Sequence, residues 1–336
     1  MKLLYIRPYT GEDVIVRELL SADCTVTFAD GIEAIPESDR AQFDVISVFV
    51  DYELRAETLR WLPNLQCIAT RSAGYDHIDV AAAAERGITI SRVPHYGTRT
   101  VAEFAIALMF ALSRNAFRAY TDMLQRTTLA NLEQYEGFDL AGKTLGVIGT
   151  GAIGRSVCQI ARGIGMHVIA YDVAADQAFA SATGITYDSI ESLLAASDIV
   201  TLHVPSMPAT HHLINAERLA EMKPGAYLIN TARGEVVDTR ALVAALESGH
   251  LAGAGLDVLE GEHALREEVD LLTHGTVDPE LWATLVADHS LIDMPNVIVT
   301  PHIAFNTKEA KREITEITID NLRAFGAGSP QHVVTV

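Results

Sequence analysis

The segment Thr144-Leu-Gly-Val-Ile-Gly-Thr-Gly-Ala-Ile-Gly154 limits what this chain can fold into more than any other. It opens as a short apolar run suited to a buried strand, and Arg155 to Ile164 read as a helix. Gly149, Gly151 and Gly154 therefore sit in a strand–turn–helix, the setting that raises a G-x-G-x-x-G pattern to a dinucleotide fingerprint. Gly149 permits the tight turn, Gly151 lets the backbone approach a pyrophosphate, and Gly154 lets the helix lie close to the strand. The helix start at Ala152 and Ile153 offers free N–H groups to the anion. Asp172 ends the next predicted strand, 18 residues beyond Gly154. A carboxylate there accepts hydrogen bonds from both ribose hydroxyls and repels a 2′-phosphate. No Arg or Lys follows from Val173 to Gln177, so the pattern predicts NAD rather than NADP.

A chain of 336 residues has room for two domains, each with its own core. Its formal net charge of -19 repels a phosphate backbone, and no Lys/Arg run relieves it, so nucleic acid is not an expected partner. Three widely spaced cysteines, Cys24, Cys67 and Cys158, fit neither a disulfide framework nor a metal site and point to a reducing compartment. The start meets Arg7 and Pro8 before a signal-peptide core can form. The longest apolar stretch, Val101 to Leu112, contains Glu103 and is too short to span a bilayer. A cytoplasmic protein without a membrane partner is expected.

Short β-branched runs alternate with Ala/Leu/Glu-rich helical ones, which predicts parallel sheets covered by helices. Strands are expected near Lys2–Ile6, Val45–Val50, Cys67–Thr70 and Thr89–Ser91. A second set is expected near Thr144–Ile148, His167–Tyr171, Ile199–His203, Tyr227–Asn230, Gly253–Asp257 and Val297–Thr300. A helix over Thr98–Tyr120 links the two sets. A last helix, Thr307–Phe325, has no strand after it to cover, and the simplest packing returns it to the first domain. The predicted class is α/β, with two Rossmann-like, doubly wound parallel-sheet domains. A flavodoxin-like substrate domain takes residues 1–98 and 304–336, and an NAD-binding domain takes 99–303. The acidic segment His263–Pro295 interrupts the alternation and reads as a largely helical insertion beside the site.

Reducing a 2-keto acid needs a cation for the carboxylate, a proton donor for the ketone oxygen, and a partner that keeps the donor protonated. Arg233, His302 and Glu262 each follow a predicted strand, and ligands of open α/β sheets bind beyond the strands' carboxyl ends. Arg233 supplies a planar fork, and a carboxylate at Glu262 stabilises an imidazolium at His302. The chain has twelve histidines, and spacing alone leaves a structural role open for each of the three residues.

Seven motifs run in order along the chain: Arg-Ser-Ala-Gly-Tyr-Asp-His-Ile-Asp (71–79), Thr-Val-Ala-Glu-Phe-Ala (100–105), Gly-Thr-Gly-Ala-Ile-Gly (149–154), His-Val-Pro (203–205), Asn-Thr-Ala-Arg-Gly (230–234), Gly-Leu-Asp-Val-Leu-Glu-Gly-Glu (255–262) and Thr-Pro-His-Ile-Ala (300–304). Through them the chain resembles the D-isomer-specific 2-hydroxyacid dehydrogenases over nearly its whole length. The resemblance implies Arg233 on the substrate, His302 as acid/base and Glu262 as its partner. It implies that N–H groups at Ala73, Gly74 and Tyr75 receive the substrate carboxylate. It also implies that Asp257 meets the nicotinamide carboxamide, that His203, Val204 and Pro205 border the adenosine, and that Thr231 and Ala232 line the cofactor. A homodimer built on the helix after Thr98 and the region around Ala130–Leu140 is implied as well.

Within that family the chain looks most like the D-lactate dehydrogenases, because Tyr96 and Phe305 match the aromatic pocket residues of that subgroup. The resemblance thus implies NADH-dependent reduction of pyruvate to D-lactate. The alternatives are a relative acting on glyoxylate, hydroxypyruvate, a larger 2-keto acid or phosphite, and, from another class, an NAD-sensing corepressor or scaffold. Two departures stand out: Gly97-Thr98-Arg99 follows Tyr96 where Ser-Pro is common, and the insertion 263–295 diverges.

Overall fold

The alternation of short apolar strands with longer helices produces two sheets, each entirely parallel. The computed structural model describes residues 1–20, 24–94, 96–125, 132–266 and 278–335. They divide into two compact units, Met1–Gly97 with Asn306–Val336, and Thr98–Phe305.

In the first unit β1 (Lys2–Ile6), β2 (Thr25–Ala29), β3 (Val45–Val48), β4 (Cys67–Thr70) and β5 (Thr89–Ser91) lie in the order β2-β1-β3-β4-β5. The order reverses between β1 and β3, which marks that sheet's crevice for ligands. The last helix, Lys308–Gly326, is capped by Thr307 Oγ1, which accepts the Ala310 N–H at 3.1 Å. Its Ile319 and Leu322 join Leu3, Tyr5 and Val45 in one buried cluster. The chain end then pairs with β5, Arg92 N–H donating to His332 O and Val334 N–H to Ile90 O.

The second unit has β6 (Thr144–Ile148), β7 (His167–Tyr171), β8 (Thr186–Tyr187), β9 (Ile199–Leu202), β10 (Ala226–Asn230), β11 (Leu251–Leu256) and β12 (Val297–Val299). Their order, β12-β11-β10-β9-β6-β7-β8, reverses between β9 and β6, the switch point of a doubly wound nucleotide-binding sheet. Every residue of β9 is buried, as both faces of a parallel strand must be.

Three local features differ from the periodicity reading. β2 and β8 were not expected: β2 alternates Thr-Val-Thr-Phe on an edge, and β8 is two residues long. The run Thr98–Tyr120 is two helices, Thr98–Ser113 and Ala116–Leu124, bent by 65°. Asn115 breaks it in a left-handed conformation (φ 48°), which asparagine tolerates better than most residues. The insertion carries helices Glu262–Arg266 and Pro279–Asp293, and its residues 267–277 lie outside the described ones. Among the described residues no single helix is long and apolar enough to cross a membrane.

Candidate active site

At the switch point, Gly149 has φ 92°, and a Cβ there would stand 2.6 Å from His203 O. A Cβ on Gly154 would collide with Gly149 O, so the helix Ala152–Gly163 lies on the turn as closely as backbones allow. Gly151, its N-cap, has no side chain and open space where a Cβ would stand. The first-turn N–H groups, including those of Ala152, Ile153 and Gly154, are therefore left open to an anion.

Asp172 closes β7 beside this turn. Its Oδ2 accepts the Thr150 N–H at 2.6 Å and the Thr150 hydroxyl at 3.0 Å, and its Oδ1 accepts the Ala174 N–H at 2.9 Å. Burial works to raise its pKa, but these bonds, backed by Arg155, outweigh burial and hold it below the ordinary carboxylate value. Tyr187 donates to Thr150 Oγ1 at 2.9 Å and so steadies the arrangement. Sequence reasoning missed Thr150, although it lies inside the fingerprint. Nearby, burial pushes the pKa of His203 down to about 3, leaving its imidazole neutral beside Val204 and Pro205.

At the other end of the sheet, His302 Nδ1 lies 3.0 and 3.2 Å from the two carboxylate oxygens of Glu262. With Nδ1–H donated to Glu262, Nε2 is the nitrogen left to exchange a proton. His302 is one of five non-glycine residues with positive φ among the described residues, at 54°. Its conformation is over-determined by Asp257. The His302 N–H donates to Asp257 O, and the Asp257 carboxylate accepts the N–H groups of Ile303 (2.9 Å) and Ala304 (2.8 Å) and the Thr300 hydroxyl (2.5 Å). Burial raises the Asp257 pKa against the pull of those bonds. Phe305 stands edge-on to His302 with ring centroids 6.5 Å apart. Asp257, Leu259, Glu262, Leu265, Thr300 and His302 line a largely apolar cavity of about 510 Å³.

Arg233 follows β10 in a turn built by Asn230, which is buried. Asn230 Oδ1 accepts the Ala232 N–H at 3.0 Å and Asn230 Nδ2 donates to Arg233 O at 2.8 Å, spanning Thr231. A Cβ on Gly234 would overlap the backbone of Leu259, so the Arg233 turn lies directly against the strand end that leads to Glu262. Asn230, like Thr300, is a support residue that the motifs contained but that spacing gave no reason to choose.

Ala73, Gly74, Tyr75 and Tyr96 belong to the first unit. The first three follow β4, and among the described residues their N–H groups donate to no acceptor. The loop is anchored by Ser72, whose hydroxyl donates to Gly74 O at 2.6 Å, and by Thr70 Oγ1, 2.6 Å from Ser72 Oγ and 3.0 Å from His77 Nε2. Arg92 Nη1 donates to Ala73 O at 3.2 Å. Burial is the main cause of the high pKa of Tyr9, and the nearby Tyr96 adds to it.

Residues 106–304 match the family model of the NAD-binding domain of D-isomer-specific 2-hydroxyacid dehydrogenases. The chain belongs to that family. It is an NAD-dependent oxidoreductase acting on CH–OH groups, and the cradle around Gly149–Gly154 with Asp172 fits that cofactor. It is 39% identical to a glycerate dehydrogenase of Methylorubrum extorquens over 88% of this chain and 87% of that one. A D-lactate dehydrogenase of Curvularia clavata is 38% identical over 85% and 80% of the two chains. Among solved structures, the D-lactate dehydrogenase of Aquifex aeolicus, complexed with NAD and lactic acid, superposes with a TM-score of 0.85. That match covers 98% of this dehydrogenase and 96% of the other chain, at 35% identity.

Proposed function

We propose that the enzyme reduces pyruvate to D-lactate with NADH, reversibly. The observation that carries the reading is the His302–Glu262 pair at 3.0 Å beside the Arg233 turn. When bound, NADH supplies a hydride to the carbonyl carbon. His302 Nε2 gives its proton to the ketone oxygen, and Glu262 stabilises the imidazolium that has to form before each reduction. Arg233 polarises the ketone and holds the carboxylate, a task its planar fork suits. The N–H groups of Ala73, Gly74 and Tyr75 are assigned to the substrate carboxylate, and Tyr96 and Phe305 to the substrate's small side chain. Met1–Gly97 with Asn306–Val336 is accordingly the substrate unit, and Thr98–Phe305 the NAD unit. Gly149, Gly151, Ala152, Ile153 and Gly154 take the pyrophosphate, and Asp172 takes the ribose. His203, Val204 and Pro205 border the adenosine, and Thr231 and Ala232 the remainder of the cofactor.

The helix Ala116–Leu124 buries none of its residues in this chain and exposes Phe117, Tyr120, Met123 and Leu124. An apolar face of this kind supports a homodimer seated on it. The free thiols of Cys67 and Cys158, both buried, support a cytoplasmic setting.

The deciding experiment follows NADH oxidation against pyruvate, glyoxylate, hydroxypyruvate and larger 2-keto acids, with the product's chirality determined. Pyruvate is expected to give the highest kcat/KM and D-lactate as product. Hydroxypyruvate is the second reading, favoured by the glycerate dehydrogenase relative. An L-product, or no turnover on any of the acids, sinks the proposal. His302→Ala is expected to lower kcat by about a thousandfold or more, and Arg233→Ala to raise KM for the keto acid as well as lowering kcat.

A further inference from the structure

The helix Pro279–Asp293 carries a carboxyl that its packing does not need. Asp288 is fully buried. Its Oδ2 accepts the Gly261 N–H at 2.9 Å, while its Oδ1 has no hydrogen-bond partner among the described residues. A buried carboxyl with an idle oxygen works against stability. The next residue after Gly261 is Glu262, whose carboxylate meets His302.

We propose that Asp288 is a positioning residue for the acid–base pair: by holding Gly261 it sets the backbone from which Glu262 reaches His302, and its charge acts on that pair. The proposal rests on the reading of Glu262 and His302 given above. Three links connect Asp288 to the imidazole: a 2.9 Å hydrogen bond, one peptide unit, and a 3.0 Å contact. Gly261 allows the approach, because a Cβ there would stand 2.5 Å from Asp288 Oδ2 and 3.5 Å from Leu285 and Thr284.

Among the described residues, the titratable groups facing Asp288 are Glu260 and Glu262 from the strand-end segment and His289 from its own helix. The helix Thr239–Glu247, packed alongside, directs Arg240 to Glu280 instead, and β12 contributes no ionisable residue. Glu260 is engaged by His212 at 2.7 Å and Glu262 by His302. Asp288 is thus a third carboxyl beside two that already have imidazole partners. Burial pushes its pKa up to about 7 against the pull of the Gly261 N–H, and Glu260 and Glu262 push the same way. Above that pH Asp288 adds a negative charge beside Glu262, and below it Glu262 faces a neutral carboxyl.

Asp288→Asn keeps an oxygen for the Gly261 N–H and removes the charge. In pH profiles of kcat/KM for reduction, run with NADH and the keto acid of highest turnover in the panel, its basic limb is expected about half a pH unit lower than that of the unaltered enzyme. Asp288→Ala, which removes the anchor, is expected to lower kcat about tenfold with NADH affinity nearly unchanged, and Gly261→Ala to act in the same direction. A superimposable profile for Asp288→Asn overturns the electrostatic part. An Asp288→Ala enzyme with a lowered Tm but full kcat overturns the positioning part and leaves only a structural residue. If Asp288→Ala does not fold, the Asn variant and Gly261→Ala decide. Glu262→Gln, measured alongside, separates the two readings: if it leaves kcat unchanged, the acid–base assignment itself is wrong.

Discussion

Asp257 holds His302 from the backbone: its carbonyl accepts the His302 N–H at 2.9 Å while its carboxylate accepts those of Ile303 and Ala304. This keeps a non-glycine residue in the left-handed region, where single residues persist only if their surroundings over-determine them. Family resemblance alone assigns Asp257 to the nicotinamide carboxamide, whereas its bonds here are spent on the loop.

The two roles part on mutation. Asp257→Ala is expected to lower kcat about a hundredfold by releasing the His302 loop, with the dissociation constant for NADH changed far less. Stopped-flow single turnovers and NADH fluorescence titration measure both. Weakened NADH binding with full kcat at saturation would make Asp257 a cofactor ligand instead.

Asp172 stays ionised through the assay range because its pKa is depressed. Asp172→Ala removes both the ribose acceptor and the charge that repels a 2′-phosphate. The ratio of kcat/KM for NADH to that for NADPH is expected to fall at least about tenfold. An unchanged ratio would show that another group reads the ribose.

In the first unit, Arg71 is fully buried, with Nη1 2.7 Å from Glu12 Oε2 and its guanidinium over the ring of Tyr5 at 4.5 Å. Glu12 also accepts the Tyr5 hydroxyl at 2.7 Å and the Thr315 hydroxyl at 2.9 Å, tying the last helix to the N-terminal segment. Glu12→Ala strands a buried cation and is expected to cost about 3–5 kcal/mol in urea unfolding. A loss below about 1 kcal/mol would mean that water reaches the guanidinium.

Asp288 also imposes a pH dependence on stability. Its carboxyl titrates at an ordinary 3.8 when unfolded and at about 7 when folded. Between these values the folded state keeps a proton that the unfolded state has lost, so this group's contribution to stability falls as pH rises. Asp288→Asn lacks that slope. Its advantage over the unaltered enzyme is expected to grow from little near pH 4 to on the order of 2–4 kcal/mol at pH 8. Parallel denaturation curves at both pH values would refute it.

Local chemistry alone determined much of this protein. The Gly149–Gly154 turn, the Asp172 carboxylate and the strand–helix alternation are short-range signals, readable because turn geometry and burial act residue by residue. The ordered motifs extended that reading to Arg233, Glu262 and His302. Only the tertiary structure decided what holds these residues in place. Thr150 on Asp172, Asp257 behind the His302 loop and Asp288 behind Gly261 act through hydrogen bonds between segments 22 to 47 residues apart. No periodicity encodes such contacts, because a buried acceptor and its donor are matched by packing in space and not by spacing along the chain. The same reason hid the break at Asn115, where the residues on either side carry the apolar spacing of one continuous helix.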